Sequence, residues 1–195
     1  MFLVLCLPRS RSAWMAHYLN YPLARPPQPV GHDILVECDG VDAFINSYKS
    51  GMVGSVETAA APLWRLLRNE LPDCKLVVVR RPLIEVYRSL SRQGVLPDLS
   101  ELAELNATLD LVESVQGVKK IEYRNLVDPM TCRWLFEYCL EIDWDFDWWA
   151  SLHPVKIEVD LKARMEQMER HAGRWKKLKE EIGERSKGLE EWLLQ

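Results

Sequence analysis

The 195-residue chain is 48% hydrophobic and carries a formal net charge of −4, so it holds enough apolar residues for one substantial core. We expect residues 1–195 to form a single domain, with a helical C-terminal extension from about residue 160. The net negative charge excludes the non-specific electrostatic binding to nucleic acid that basic proteins show, and we expect no nucleic-acid partner. Any anion-binding site must therefore rest on a local group of basic residues.

The cysteines and the N-terminus together predict a soluble, cytoplasmic protein. An odd number of widely spaced cysteines without a CxxC pair favours reduced thiols over a disulfide framework. The short apolar run at the N-terminus has no basic segment before it and stops at Pro8, which fits neither a signal peptide nor a membrane span. We therefore expect no membrane partner.

The first half of the chain predicts alternating strands and helices. Residues 3–7 form a continuous apolar run typical of a central strand that is buried on both faces. Ser12 is predicted to be the N-cap of a helix that ends at Leu19, and the proline-rich segment 21–29 must be a loop. A short strand, a helix and a second short strand are then predicted over residues 34–37, 41–50 and 51–58.

The second half continues the alternation. Residues 75–79 are the clearest β-branched strand, and a helix with a proline in its first turn follows and stops at Gly94. Further predicted elements are a helix, a strand, a second helix and a short helix or turn, over residues 99–115, 118–123, 128–142 and 143–152. The C-terminal extension should be helical, with an apolar stripe made of Leu161, Met165, Met168, Trp175 and Leu178.

This order of elements predicts an α/β fold of three layers, with a mainly parallel central sheet flanked by helices. Ligands of such folds bind at the carboxyl ends of the strands. Both arginine-bearing loops, after Leu7 and after Val79, fall at that edge of the sheet. A local anion site is therefore expected there.

The first of these loops has the residues of an anion cradle. Backbone N–H groups at a strand-to-helix turn, together with the helix dipole and serine hydroxyls, favour phosphate or sulfate. The loop supplies Arg9, Ser10, Arg11 and Ser12. The alternative is an ordinary turn with a serine cap and solvent-facing arginines. The usual ATP-binding loop is absent, because the chain has no Gly-Lys pair.

Residues 8–14, Pro-Arg-Ser-Arg-Ser-Ala-Trp, resemble the 5′-phosphosulfate loop of the sulfotransferases, whose common form is Pro-Lys/Arg-Ser-Gly-Thr-Thr/Ser-Trp. The matching residues are Pro8, Arg9, Ser10 and Trp14, with Ser12 as a hydroxyl replacement, and the departures are Arg11 and Ala13. Because a positive φ is costly for a side chain, we expect Arg11 to adopt a right-handed backbone conformation and to point toward the anion or the acceptor.

Two later segments strengthen the resemblance, which extends over residues 2–149. In the family, an arginine at a strand end and a serine on the next helix bind a 3′-phosphate. Here the serine is Ser89, and the arginine is one of two neighbours. The family's Arg-x-Pro order selects Arg80, whereas the usual interval of eight residues to the serine selects Arg81. The second of these later segments has the pattern Tyr-x-x-Leu at Tyr123. It resembles part of the family's fold and contributes no chemical group. The C-terminal third lacks the family's Arg-Lys-Gly motif.

The resemblance implies a P-loop NTPase-like fold and a sulfotransferase that uses 3′-phosphoadenosine-5′-phosphosulfate (PAPS) as co-substrate, releases adenosine 3′,5′-bisphosphate and requires no metal. The 5′-phosphosulfate would contact Pro8, Arg9, Ser10, Arg11, Ser12, Ala13 and Trp14. Arg9 would also stabilise the leaving oxygens, and the family's histidine or glutamate base has three candidates here, His32, Asp33 and Glu57. The acceptor would be a small molecule, carbohydrate or peptide of unknown identity.

Two other functions fit the same pattern. A nucleoside or small-molecule kinase would share the fold but needs ATP and magnesium. A binding protein would keep the anion pocket without turnover, which the glycine-free loop favours. The sequence leaves the oligomeric state open.

Overall fold

The computed structural model describes residues 1–23, 29–157, 166 and 172–192 and contains one five-stranded sheet in which all strands are parallel. The strand order is β2-β3-β1-β4-β5. The strands are β1 (Phe2–Cys6), β2 (Val30–His32), β3 (Gly54–Glu57), β4 (Lys75–Arg80) and β5 (Lys119–Glu122). The predicted central strand is confirmed, since β1 is the middle one and every residue of it is buried.

Helices cover both faces of this sheet, because successive side chains of a buried strand point to opposite sides. Leu3 and Leu5 of β1 belong to one hydrophobic cluster, whereas Phe2, Val4 and Cys6 belong to the other. The helices are α1 (Ser12–Leu19), α2 (Val41–Lys49), α3 (Trp64–Glu70), α4 (Leu83–Ser91), α5 (Leu99–Glu113), α6 (Pro129–Leu140), α7 (Phe146–Leu152) and α8 (Ala172–Trp192). Helices α1, α6 and α7 pack on one face, and α2 to α5 with α8 pack on the other. The predicted three-layer α/β architecture is confirmed.

One predicted strand is wrong. Residues 34–37 do not form a strand, because Ile34–Val36 is a 3₁₀ turn and the strand lies just before it, at Val30–His32. The chain leaves the sheet at Asp33, whose φ is 50°. The backbone N–H groups of Ile34 and Leu35 then donate to the two oxygens of the Glu57 carboxyl group instead of to a neighbouring strand.

The predicted N-cap of α1 is also wrong. Ser12 is the first helical residue, and the cap position belongs to Arg11, which makes no side-chain capping hydrogen bond. The Ser12 hydroxyl instead hydrogen-bonds with the His32 ring at 2.9 Å. The hydroxyl that was expected to cap α1 therefore contacts the last residue of β2 instead.

The C-terminal helix α8 packs against α2 and α3. Leu178 and Ile182 are buried in the core, and Arg185 pairs with Asp42 through two hydrogen bonds of 2.7 and 2.8 Å. Of the predicted apolar stripe, Leu178 is confirmed as buried, whereas Leu161, Met165 and Met168 lie outside the described residues, as does the side chain of Trp175. In the described ranges, no helix is both long and apolar enough to cross a membrane.

Candidate anion-binding site

A cavity of about 700 Å³ opens at the carboxyl edge of the sheet. Its wall is formed by the loop after β1, the turn after β2, the residues after β3, Arg81 with part of α4, one residue of α5, the turn after β5 and the segment after α7. The predicted site residues that line the cavity are Pro8, Arg9, Arg11, Ser12, Ala13, Trp14, His32, Asp33, Arg81 and Ser89. Those that do not line it are Ser10, Glu57 and Arg80.

The loop after β1 contains two left-handed residues, Arg9 with a φ of 64° and Arg11 with a φ of 62°. The prediction of a right-handed Arg11 is therefore wrong. A left-handed conformation costs a side-chain-bearing residue about 1–2 kcal/mol, so other contacts must offset it. Arg11 donates from Nη1 to the carbonyl oxygen of Leu126 at 3.0 Å, and its guanidinium lies 4.2 Å from the centre of the Trp14 ring.

The two left-handed residues flank Ser10, which is fully buried. Within the described residues, no hydrogen-bond partner is found for the Ser10 hydroxyl. A left-handed residue next to one of ordinary φ turns successive N–H groups into a concavity, and such a concavity at the start of a helix favours an anion. The buried hydroxyl adds an unsatisfied donor beside that concavity.

Arginines and a serine connect this loop to the element after β4. Arg9 donates from Nε to the Ser89 hydroxyl at 3.3 Å, and Arg81 donates to the carbonyl oxygen of Arg9. The Arg81 guanidinium also lies 4.2 Å from the centre of the Tyr123 ring. Residues that are 80 positions apart in the sequence are thus in direct contact.

The sequence left open whether Arg80 or Arg81 belongs to the site, and the structure separates them. Arg80 forms ion pairs with Asp110 at 2.5 Å and with Glu113 at 2.8 Å, so its guanidinium is held by α5. Arg81 lines the cavity together with Ser89. Adjacent residues at a strand end point to opposite sides, which explains why only one of them reaches the cavity.

The turn after β2 brings a histidine and a carboxylate to the opposite wall. His32 Nε2 lies 2.9 Å from the Ser12 hydroxyl and 3.4 Å from Asp33 Oδ2. The other oxygen of Asp33 accepts hydrogen bonds from the backbone N–H of Thr58 at 2.8 Å and from its hydroxyl at 2.9 Å. Both contacts are made by the same ring nitrogen, and they hold the His32 ring against Ser12 and Asp33 in the cavity wall.

Glu57 lies beneath this turn instead of in the cavity. Its side chain is 1% exposed and accepts hydrogen bonds from the N–H groups of Ile34 at 2.9 Å and Leu35 at 3.3 Å. Burial, with a smaller contribution from the Asp33 charge, raises the pKa of Glu57 to about 8. The geometry thus makes Glu57 a support for the His32–Asp33 turn, without the direct access that a catalytic base needs.

Sequence reasoning assigned no role to two parts of the cavity wall. The first is the 3₁₀ turn Tyr123–Val127, which contributes Tyr123, Arg124 and Val127. It reaches the cavity because it follows β5, which pairs with β4 and ends at the same carboxyl edge of the sheet. The second is the segment 153–157 after α7. The segment follows Leu152, whose carbonyl oxygen accepts a hydrogen bond from Trp14 Nε1 at 3.0 Å. This contact between distant residues cannot be predicted from a local sequence pattern.

In the part of the chain that the structure describes, no group of three His, Cys, Asp or Glu side chains is arranged to hold a metal ion. No protein-family model and no curated protein matches the chain.

Proposed function

We propose that the protein is a sulfotransferase that moves a sulfuryl group from PAPS to a hydroxyl or amine of an acceptor bound in the cavity. The observation that carries the proposal is the contact of Arg9 with Ser89 and Arg81. It joins the loop expected to hold a 5′-phosphosulfate to the element expected to hold a 3′-phosphate. One nucleotide that carries both groups fits this arrangement better than a nucleotide with a single phosphate chain.

Each of the two anionic groups of the nucleotide has a cationic partner in this proposal. The N–H groups of the loop, the Arg9 guanidinium and the Ser12 hydroxyl hold the 5′-phosphosulfate at the start of α1. Arg81 and Ser89 hold the 3′-phosphate, for which a planar guanidinium supplies two parallel hydrogen bonds. Arg9 lies between the two groups because it contacts Ser89 from the loop.

The transfer itself needs little covalent help from the protein. The acceptor oxygen or nitrogen attacks the sulfur atom while the bond from sulfur to the bridging phosphate oxygen breaks, and the bisphosphate leaves with that electron pair. Arg9 stabilises the charge that develops on the leaving oxygen. The acceptor's proton passes to the His32 ring, and Asp33 at 3.4 Å stabilises the ring once it is charged.

Calorimetric titration with adenosine 3′,5′-bisphosphate tests the nucleotide site, and the two adjacent arginines provide a matched pair. Arg81→Gln removes a charge-assisted contact to the 3′-phosphate, so the affinity should fall about tenfold or more. Arg80→Gln should leave the affinity within about twofold, because Arg80 is held by Asp110 and Glu113 and not by the cavity.

Absence of bisphosphate binding to the folded protein would contradict the proposal. Tighter binding of ATP with magnesium than of the bisphosphate would instead support the kinase alternative. Transfer of labelled sulfate from PAPS to a broad acceptor panel then separates an enzyme from a protein that only binds the nucleotide. In the proposal the protein acts in the cytoplasm, as its isolated cysteines suggest.

A further inference from the structure

The outer edge of β5 has no neighbouring strand among the described residues. β5 stands at the end of the strand order and pairs with β4 alone. Three of its residues, Lys119, Lys120 and Glu122, are exposed, whereas Ile121 is buried. Such an edge presents a row of backbone N–H and C=O groups that a further strand can bind.

A groove of about 490 Å³ lies between this edge and α6. All four residues of β5 line it, together with Met130 and Trp134 of α6. Met130 is 62% exposed and Trp134 is 37% exposed, although both side chains are large and apolar. The groove therefore combines a strand edge with apolar side chains in contact with solvent, and a strand added to such an edge is a recurring form of protein–protein contact.

The two faces of β5 differ, because side chains alternate along a strand. Ile121 belongs to the hydrophobic cluster on the α1 and α6 side of the sheet. Lys120 lies on the other face, where its Nζ is 3.1 Å from a carboxyl oxygen of Glu113 and 3.3 Å from one of Glu122. The side chains of Lys120 and Glu122 are still 49% and 47% exposed, so each can contact a further charge.

The charges of β5 favour one register for pairing this strand with the same strand of a second copy. In a symmetric pair the strands are antiparallel about a two-fold axis perpendicular to the sheet, so residues opposite each other point to the same face. A register centred on Ile121 places Lys120 of each copy opposite Glu122 of the other. Registers centred on Lys120 or on Glu122 would place two like charges opposite each other, which destabilises a sheet.

We infer that this face binds a second copy of the same chain, through antiparallel pairing of the two β5 edges centred on Ile121. The pairing joins the two sheets into one and forms two pairs of opposite charge, one on each side of the axis. The axis keeps both α6 helices on the same face, where Met130 and Trp134 of the two copies add apolar contact. The groove shares no lining residue with the cavity at the carboxyl edge, so the inference is independent of the proposed function.

Sedimentation velocity of the full chain tests the inference. We expect the wild type to have twice the mass of a single chain at about 100 µM and to dissociate on dilution. Lys120→Glu and Glu122→Lys each replace both attractive pairs by repulsive ones, so each should weaken the dimer by about tenfold or more.

Lys49→Glu is the matched control for charge reversal. Lys49 of α2 is 48% exposed and paired with Glu70 at 2.8 Å, much as Lys120 is paired within its own chain, but it does not line the groove. This variant should dimerise as tightly as the wild type.

An equimolar mixture of the two weakened variants identifies the register. In a heterodimer of Lys120→Glu with Glu122→Lys, position 120 of each copy again faces an opposite charge at position 122 of the other. The mixture should therefore dimerise as tightly as the wild type although neither variant does so alone, a recovery that misfolded variants could not produce.

Four results would each overturn the inference. They are a monomeric wild type at about 100 µM, charge reversals that leave the dimer as tight as the wild type, equal weakening by Lys49→Glu, and a mixture that stays monomeric.

Discussion

The left-handed backbone of Arg11 gives the first prediction at the scale of single residues. Arg11→Gly and Arg11→Ala both remove the hydrogen bond to Leu126 and the contact with Trp14, so they differ only in the cost of the backbone conformation. We expect the Gly variant to have the larger free energy of unfolding, by roughly 0.5–1 kcal/mol. Glycine adopts a φ of 62° without the steric penalty that alanine has, and this gain exceeds the greater entropy of glycine in the unfolded chain.

Urea denaturation of the two variants measures this difference. The same pair of substitutions at Arg133, inside the exposed face of α6, is the control. There alanine should be more stable than glycine by about 1 kcal/mol, because the helix conformation favours it. An Arg11→Ala variant as stable as Arg11→Gly would show that the loop is not left-handed in solution.

Glu57 gives a prediction about pH. Its pKa is raised from 4.5 to about 8, so the folded protein holds a proton there that the unfolded chain releases above about pH 4.5. The stabilisation from the protonated carboxyl is therefore complete below pH 4.5 and is lost as the pH rises through about 8. The free energy of unfolding should fall in this interval by at most about 1.4 kcal/mol per pH unit from this group.

Denaturation of the wild type and of Glu57→Gln across this interval isolates the contribution. The amide does not titrate, so the variant should lose this slope whatever its absolute stability. Glu104→Gln, a change on the exposed side of α5, should keep it. Retention of the full slope in Glu57→Gln would show that another group causes it.

Among the elements, the buried apolar strands and the edge strand β5 were predictable, and the three-residue edge strand β2 was not. β1 and β4 lie inside the sheet and are buried on both faces, which requires the continuous apolar and β-branched runs that the sequence displays. β2 has three half-buried residues and pairs with β3 alone, so its pairing depends on a neighbour and not on its own composition. The apolar residues 34–36 that suggested a strand are instead held as a 3₁₀ turn by Glu57, a contact between distant residues.

The candidate site shows the same division between local and distant information. Parallel strands bring their carboxyl ends to one edge, and that rule alone predicts that the loop after β1 and the segment after β4 lie near each other. The choice between Arg80 and Arg81 depended on which side of the sheet α5 occupies, since Asp110 and Glu113 hold Arg80 there. The place of the segment 153–157 in the cavity wall could not be predicted, because it depends on contacts between distant residues, such as the hydrogen bond from Trp14 to the carbonyl oxygen of Leu152.

In the molecule as a whole, five of the 25 lysine and arginine side chains line one cavity of a chain whose net charge is −4. The proposed nucleotide would therefore be attracted by local charge alone, while the rest of the surface on average repels it. Salt screens such an interaction, since the Debye length falls from about 10 Å at 0.1 M to about 3 Å at 1 M ionic strength.

We accordingly expect the affinity for adenosine 3′,5′-bisphosphate to fall about tenfold between 0.1 and 1 M sodium chloride. Adenosine is the control, because it presents the same base and ribose without the phosphates and should change less than about twofold. Arg81→Gln should also reduce the salt dependence for the bisphosphate, since one cation fewer is available for screening. Equal losses of affinity for adenosine and for the bisphosphate would mean that the nucleotide is held by contacts to the base or the ribose. The cations of the cavity would then not serve to bind its phosphates.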